Sequence, residues 1–417
     1  MKRRAFTRGV LAAGAGAALA MPAIARAATR TITILTWNIP DAADVVNSWI
    51  AAFKAGHPGV AIEWLDKKGT DVPAFYETQL AAGTPPDIID IQGGLWLQYA
   101  AEGALLDLTP YLAKQPDVKA RFNQDYLANW VYGGRNYMLP FYISKTLLFY
   151  NKQRFGQAGL SAPAASFDGL MAQAKKMSGG SNSGFLTLNF DWLYWPLYKA
   201  NGIDPLGPDL KRTAFDTDAM IALTEQLAQA TNEGTIDPIS WTGRWVEPLG
   251  AFASGRIGML NAHSPAYYFI KGQAKWVSAE TLGVAQFPGD WSVPNSHGFG
   301  ISKGSKDPEL AWEFASFITD HAQAMKFATD RRVLTGNVGV DKALVALLDK
   351  EDPLGAAVLR TQVEYTDRMT GNWPIAEYSR ITDTFWSELQ GALLGRRKAK
   401  EAIAAANRQV TRILNES

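Results

Sequence analysis

Along this chain the spacing of apolar residues switches between two periods. From Thr31 to Trp37, β-branched and polar residues alternate, the period-two pattern of a half-buried strand, and Asn38, Pro40 and Asp41 end it. Val45, Val46, Trp49, Ile50 and Phe53 then recur at helical spacing, with Asp41 or Asp44 placed to cap the helix and Gly56 and Pro58 to stop it. The pattern next predicts a second strand over Val60–Trp64, a helix over Phe75–Ala82, and a third strand over Pro86–Ile91 that runs into Gly93-Gly94. This βαβαβ order is the grammar of a sheet flanked by helices. Two more strands are predicted over Tyr137–Pro140 and Thr146–Asn151, joined by Phe141–Lys145. Helical stretches dominate beyond them, broken by loops at 178–184 and 201–208. No internal repeat or low-complexity segment appears after the first thirty residues.

Those first thirty residues have a different character. Lys2-Arg3-Arg4 precedes an apolar run, Val10 to Ala20, and Ala23-Ile24-Ala25-Arg26-Ala27 places small residues at alternating positions. A basic start, a short apolar stretch and small residues before a polar segment form an export signal, residues 1–27, with cleavage expected after Ala25 or Ala27. The pair Arg3-Arg4 followed by Ala5-Phe6 points to the twin-arginine route. The chain has no cysteine, so it has no disulfide framework, no thiolate metal site and no lipid-bearing cysteine. No later segment approaches the roughly 18 uninterrupted apolar residues of a spanning helix. At 417 residues, the chain exceeds the size at which single cores stop growing, and two lobes are expected. Lys and Arg number 41 against 40 Asp and Glu, which gives no basic surface for nucleic acid. A free periplasmic protein, expected as a monomer, fits this composition.

Five ordered blocks carry a resemblance. They are Leu35-Thr36-Trp37-Asn38; Gly83-Thr84-Pro85-Pro86-Asp87-Ile88-Ile89; Leu139-Pro140 through Leu148-Phe149-Tyr150-Asn151-Lys152; Phe252-Ala253-Ser254-Gly255-Arg256-Ile257-Gly258-Met259; and Gly300-Ile301-Ser302-Lys303-Gly304-Ser305-Lys306-Asp307 leading to Ala311-Trp312-Glu313-Phe314. Together they resemble the extracellular solute-binding proteins that feed carbohydrate ABC importers, the group of maltose-binding protein, over nearly the whole mature chain. The resemblance implies a two-lobed α/β periplasmic binding protein fold of the type II kind, with a ligand cleft between lobes and three crossing segments. It places one lobe in 28–141 plus 299–347, the other in 146–296 plus 352–417, and crossings at 142–145, 297–298 and 348–351. It also implies a sugar or polyol as ligand, the permease subunits of an ABC transporter as partner, and no cofactor.

Candidate ligand residues come from the residues themselves and from that likeness. Fourteen tryptophans can pack a core or stack on a sugar face. Trp49 and Trp312 lie on regular apolar stripes and read as core. Trp37 beside Asn38, Trp192 beside Asp191, and Trp373 beside Asn372 and Pro374 are flanked by polar or turn residues and read equally as cleft residues. The stretch Asn189–Pro196 resembles one from which sugar-binding relatives present an acidic and an aromatic residue, which implies Asp191 and Trp192. The likeness also implies Gln92 and Gly93 after the third strand, and Tyr142 and Ser144 in the first crossing. Where relatives carry a cleft tryptophan after the Gly-Arg-Ile-Gly-Met block, this chain has Asn261-Ala262-His263-Ser264-Pro265, with Tyr267 and Tyr268 beyond. His263 at that place favours a smaller or more polar solute than a long oligosaccharide. His263 and His297 are the two histidines placed to reach the cleft. The four histidines share no metal-binding spacing.

Two further patterns carry chemistry. Gly300-Ile301-Ser302-Lys303-Gly304 matches the nucleophile elbow of hydrolases, but Asp307-Pro308 marks a helix start several residues later, where an elbow needs the helix at once. No catalytic residue is expected. Arg256 and Arg380 are candidates for an anionic ligand group or for surface ion pairs. Asp349, Glu351 and Asp352 read as a solvated connection.

Overall fold

The computed structural model describes residues 30–292, 296–368 and 373–416; the export-signal expectation for residues 1–27 lies outside them. Nine strands build two sheets: β1 (Arg30–Trp37), β2 (Val60–Lys67), β3 (Ile88–Gln92), β4 (Met138–Tyr142), β5 (Thr146–Asn151), β6 (Ser183–Leu186), β7 (Ile257–His263), β8 (Leu282–Ala285) and β9 (His297–Ile301). The first sheet has the order β2-β1-β3-β9-β4 and the second β8-β5-β7-β6. A short hairpin pairs Val131–Tyr132 with Arg135–Asn136.

In the first sheet β1 is parallel to β2 and β3, while β9 runs antiparallel between β3 and β4. The register puts His297 opposite both Gln92 and Tyr142. One edge of this sheet therefore carries the end of β1, the end of β3, the start of β9 and the end of β4. Ile32, Ile34, Trp49, Phe53, Phe141, Phe299 and Trp312 form a core on one face, and Leu35, Tyr76, Ile89, Ile91 and Trp96 on the other. Trp49 and Trp312 are core residues, and each indole N–H is bonded, to the Gln323 carbonyl at 3.0 Å and to Gln115 at 3.2 Å. The predicted helix forms at Ala43–Gly56, but neither Asp41 nor Asp44 caps it. Its N-cap position is Ala42, and a short 3₁₀ turn over Pro40–Ala42 leads the chain in.

The second sheet packs a larger core that includes Leu147, Phe149, Phe185, Met259 and Leu260, joined by helices Asp218–Asn232, Tyr378–Leu393 and Ala399–Glu416. Three of its four strands fall where the sequence pattern suggests mainly helix. Ser183–Leu186 and Ile257–His263 are buried at every position. A strand covered on both faces loses its alternation and cannot be told from a buried helix by period alone.

The chain passes from the first sheet to the second through Ile143–Lys145. The Ile143 N–H donates to the Leu334 carbonyl at 2.9 Å, and its carbonyl accepts from Gln362 at 3.0 Å. Lys145 is fully buried and donates to the Glu364 carbonyl, at the end of helix Pro353–Val363, where the helix dipole favours a cation. Burial pulls its ammonium pKa down to about 8. His297 and Gly298, expected in a crossing, are already members of the first sheet, because their backbone completes the ladder beside β3. Asp352 is more than a solvated connection. It caps helix Pro353–Val363 through Gly355 and accepts from Tyr267 at 2.8 Å and Lys271 at 2.9 Å.

Candidate ligand-binding cleft

A cavity of about 910 Å³ lies between the two sheets, within the range of small-molecule sites. Its first wall is built from strand ends. Trp37 and Asn38 come from the end of β1, Gln92 and Gly93 from β3, Tyr142 from β4 and His297 from β9, all on the cleft surface. In open α/β sheets ligands bind outside the carboxyl ends of parallel strands, and β1 and β3 end here. The wall is fixed from behind by Asp90, which is fully buried. One carboxylate oxygen accepts the Trp37 backbone N–H at 3.2 Å and the other meets His297 Nδ1 at 2.9 Å. The Trp37 and Tyr142 rings lie 6.3 and 5.1 Å from the His297 ring. Asn38 turns the chain with φ of 57°, a left-handed conformation that asparagine tolerates well. Gly69 leaves room for the indole, since a Cβ there would stand 2.2 Å from Trp37 Nε1.

The second wall is denser in aromatic rings. Helix Asp191–Ala200 begins at the cleft, so Asp191 and Trp192 occupy its first turn. The Trp192 ring stacks on Phe190, with centroids 5.6 Å apart and planes 6° from parallel, and lies 4.5 Å from His263 and 6.2 Å from Trp245. The Thr146 hydroxyl donates to the Trp192 carbonyl at 2.6 Å. His263 ends β7, and its Nδ1 lies 2.8 Å from Ser144 Oγ. Burial, with a smaller push from His297, drives its pKa down to about 3. The imidazole is therefore neutral at physiological pH.

Helix Tyr378–Leu393 joins the walls. The Tyr378 hydroxyl donates to Asp191 at 2.8 Å, while its ring occupies the space a side chain at Gly94 would need, a Cβ there standing 2.2 Å from Tyr378 Cδ1. Burial raises the Asp191 pKa, against the opposing effect of the Tyr378 bond, and Asp383 raises it further. Burial likewise raises the hydroxyls of Tyr378 and Tyr194 well above the usual tyrosine range. Tyr194 stacks on Trp386, with centroids 5.6 Å apart.

Of the eleven cleft candidates singled out in the sequence, nine come together on the cleft surface: Trp37, Asn38, Gln92, Gly93, Tyr142, Asp191, Trp192, His263 and His297. Ser144 is fully buried behind His263 and positions it. Trp373 is not among the cleft residues. Its ring packs 5.0 Å from Trp195 and 5.6 Å from Tyr378, and its neighbour Asn372 lies outside the described residues. Trp245, Phe190, Tyr194, Tyr378, Thr382, Asp383 and Trp386 also line the cleft and were not anticipated. Trp245, close after Gly243, has the same turn-flanked setting that drew attention to Trp37; the helix 378–393 residues sit on an ordinary amphipathic pattern and give no such signal. Ser302 is buried, donates to the Pro86 carbonyl at 2.5 Å, and lies 3.0 Å from the Tyr76 hydroxyl. Arg256 pairs with Asp237, and Arg380 with Glu416, both away from the cleft. Among the described residues no group of three or more histidines and carboxylates could hold a metal ion, and no helix is long and apolar enough to cross a membrane.

The chain belongs to the bacterial extracellular solute-binding proteins, whose family model matches residues 37–325. A binding protein of Brucella abortus is 27% identical over 301 residues, 69% of this chain and 71% of the relative. The mannitol-binding protein of Pseudomonas aeruginosa is 24% identical over 433 residues, covering 95% of this chain and 96% of that one. Among solved structures, a solute-binding protein of Thermotoga lettingae bound with α-D-tagatose superposes with a TM-score of 0.77 at 22% identity, over 92% of this chain and all of that one. The two-lobed binding-protein fold is established by that superposition.

Proposed function

We propose that the chain is the periplasmic receptor of an ABC importer, capturing a carbohydrate or polyol in the cleft and handing it to the membrane permease. One observation carries this reading: aromatic faces on both walls, Trp37 and Tyr142 opposite Trp192 and Trp245, stand beside hydrogen-bonding groups at Asp191, His263, His297 and Gln92. A sugar or polyol has a C–H face that covers a ring and hydroxyls that need such acceptors and donors. The mannitol-binding relative supports the polyol side of this class.

Capture proceeds by hinge closure. Solute bound to both walls favours the closed form by its differential affinity, and the closed shape is what the permease reads. The hinge includes Ile143–Lys145 and the junction between helices Val338–Glu351 and Pro353–Val363. The protein acts as a monomer, without cofactor, nucleic acid or catalytic step. A melting-temperature screen over sugars, polyols and sugar phosphates tests this, since a ligand at 100 times its Kd adds about 2.7 kcal/mol. Stabilisation by a neutral sugar or polyol is the expected result. Stabilisation by sugar phosphates alone would make the receptor one for anionic solutes, and turnover of a glycoside or ester would make it an exported hydrolase.

A further inference from the structure

Helix Tyr378–Leu393 is anchored in one lobe and reaches into the other. Its residues Ile381, Phe385, Leu389 and Leu393 belong to the core around the second sheet. Tyr378, at its first position and 2% exposed, belongs instead to an apolar cluster of the first sheet, with Ile89, Ile91 and Trp96. The tyrosine hydroxyl donates to Asp191 on the second wall, so its own lobe aims the ring and the opposite lobe receives it.

Gly94 is the seat. Gly93 beside it has φ of 63° and needs glycine for its backbone. Gly94 does not: its φ of −90° and ψ of −3° are the angles most residues adopt in a type I turn. What excludes a side chain there is the Tyr378 ring, since a Cβ would stand 2.2 Å from Cδ1 and 2.6 Å from Cε1. A glycine the backbone does not require, covered by a ring from the other lobe, marks a close fit between lobes. Both residues border the cleft, and neither lies in a crossing segment, so rotation about the hinge draws them apart. Separation exposes a ring that closure buries, and that burial favours the closed form through protein contacts alone.

We propose that Tyr378 is a latch: seated on Gly94, it holds the lobes together in the unliganded protein, and opening for solute entry withdraws it. This rests on the hinge-closure reading above and extends it. With the closed form already populated, solute meets a cleft shaped for it and binds more tightly than it would if it alone had to draw the lobes together.

The chain has no cysteine, so spin labels at Thr70→Cys, next to Gly69, and Glu247→Cys, near Trp245, both at exposed positions beside the two walls, report lobe separation by pulsed electron resonance on the unliganded protein. Gly94→Ala is expected to lower the ratio of short to long distances at least about tenfold, the scale of exposing one buried aromatic side chain. Tyr378→Ala should do the same, and Gly94→Ala added to Tyr378→Ala should shift the ratio no further, because the ring it collides with is gone. Should the collision unfold Gly94→Ala, Tyr378→Ala decides alone. An unmoved ratio in a folded single variant, or an equal shift by Gly94→Ala with and without the ring, overturns the latch and leaves the receptor standing. The receptor is tested by the solute screen, whose outcome these distances do not involve.

Discussion

The two walls of the cleft are built by different means. The first is a row of strand ends. Trp37, Gln92, Tyr142 and His297 stand side by side because β1, β3, β4 and β9 are hydrogen-bonded neighbours, and one buried carboxylate, Asp90, fixes two of them. The second wall is an assembly of distant pieces: the start of helix Asp191–Ala200, a loop at Trp245, the end of β7 and the first turns of helix Tyr378–Leu393. In the first wall Trp37 is partly exposed and only His297, at 6%, is buried. In the second, Trp192 is 9% exposed and His263 6%. A backbone ladder fixes ligand groups with little demand on side-chain packing. An aromatic cluster supplies more apolar area and a drier setting, but it buries groups that titrate.

That contrast predicts its largest effect in acid. His263 has a folded pKa of about 3 against an unfolded value of roughly 6.5. Between those values the unfolded chain binds more protons, so stability rises with pH and is lost as pH falls below about 6.5, with a slope approaching about 1.4 kcal/mol per unit from this group. His263→Gln is expected to flatten the acid limb of a melting profile taken from neutral pH down to pH 4. An unchanged limb would mean that the second wall admits water to the imidazole.

Next in size is the difference between the two tryptophans. Trp192→Ala removes a nearly buried ring from a stack and is expected to weaken solute binding by about 2 kcal/mol, roughly thirtyfold. Trp37→Ala removes a partly exposed ring whose backbone N–H stays bonded to Asp90, and should cost about 1 kcal/mol. Calorimetry with the solute found by screening, paired with a melting curve for each variant, reads both. Equal losses would erase the distinction between the walls.

The smallest effect concerns folding in the absence of solute. Asp191→Asn keeps an acceptor for the Tyr378 hydroxyl and removes a carboxylate whose charged form burial disfavours. Melting of the unliganded protein should change by less than about 1 kcal/mol, whereas affinity should fall by about 1.5–3 kcal/mol, the range for hydrogen bonds to a charged group. A large loss of stability with unchanged affinity would make Asp191 a lobe-to-lobe strut instead of a ligand residue.

Part of the first wall was legible in the sequence. The alternation from Thr31 stops at Trp37 and Asn38, just past the carboxyl end of a strand, where residues of an α/β sheet face the ligand side, whereas Gln92, Gly93 and Tyr142 were implied by likeness to a family. Asp191, Trp192 and His263 were reached through likeness to a family, since nothing in their local pattern separates them from Trp373. Both Trp192 and Trp373 have polar or turn-forming neighbours, yet one lines the cavity and the other packs on Trp195. The second sheet was largely missed for the opposite reason, because strands buried on both faces carry no alternation to read.

By itself, then, the sequence determined the mixed α/β class and four of the five strands of the first sheet, all but β9, since strand and helix periods are local properties of a dozen residues. Tertiary structure decided which side chains share the cleft. Tyr378 reaches Asp191 across 187 positions of chain while its ring fills the space over Gly94. Whether Ser144 serves ligand or His263 depends on what stands across from it. Burial and charge compensation are properties of neighbours in space, and no local pattern records which neighbours folding brings.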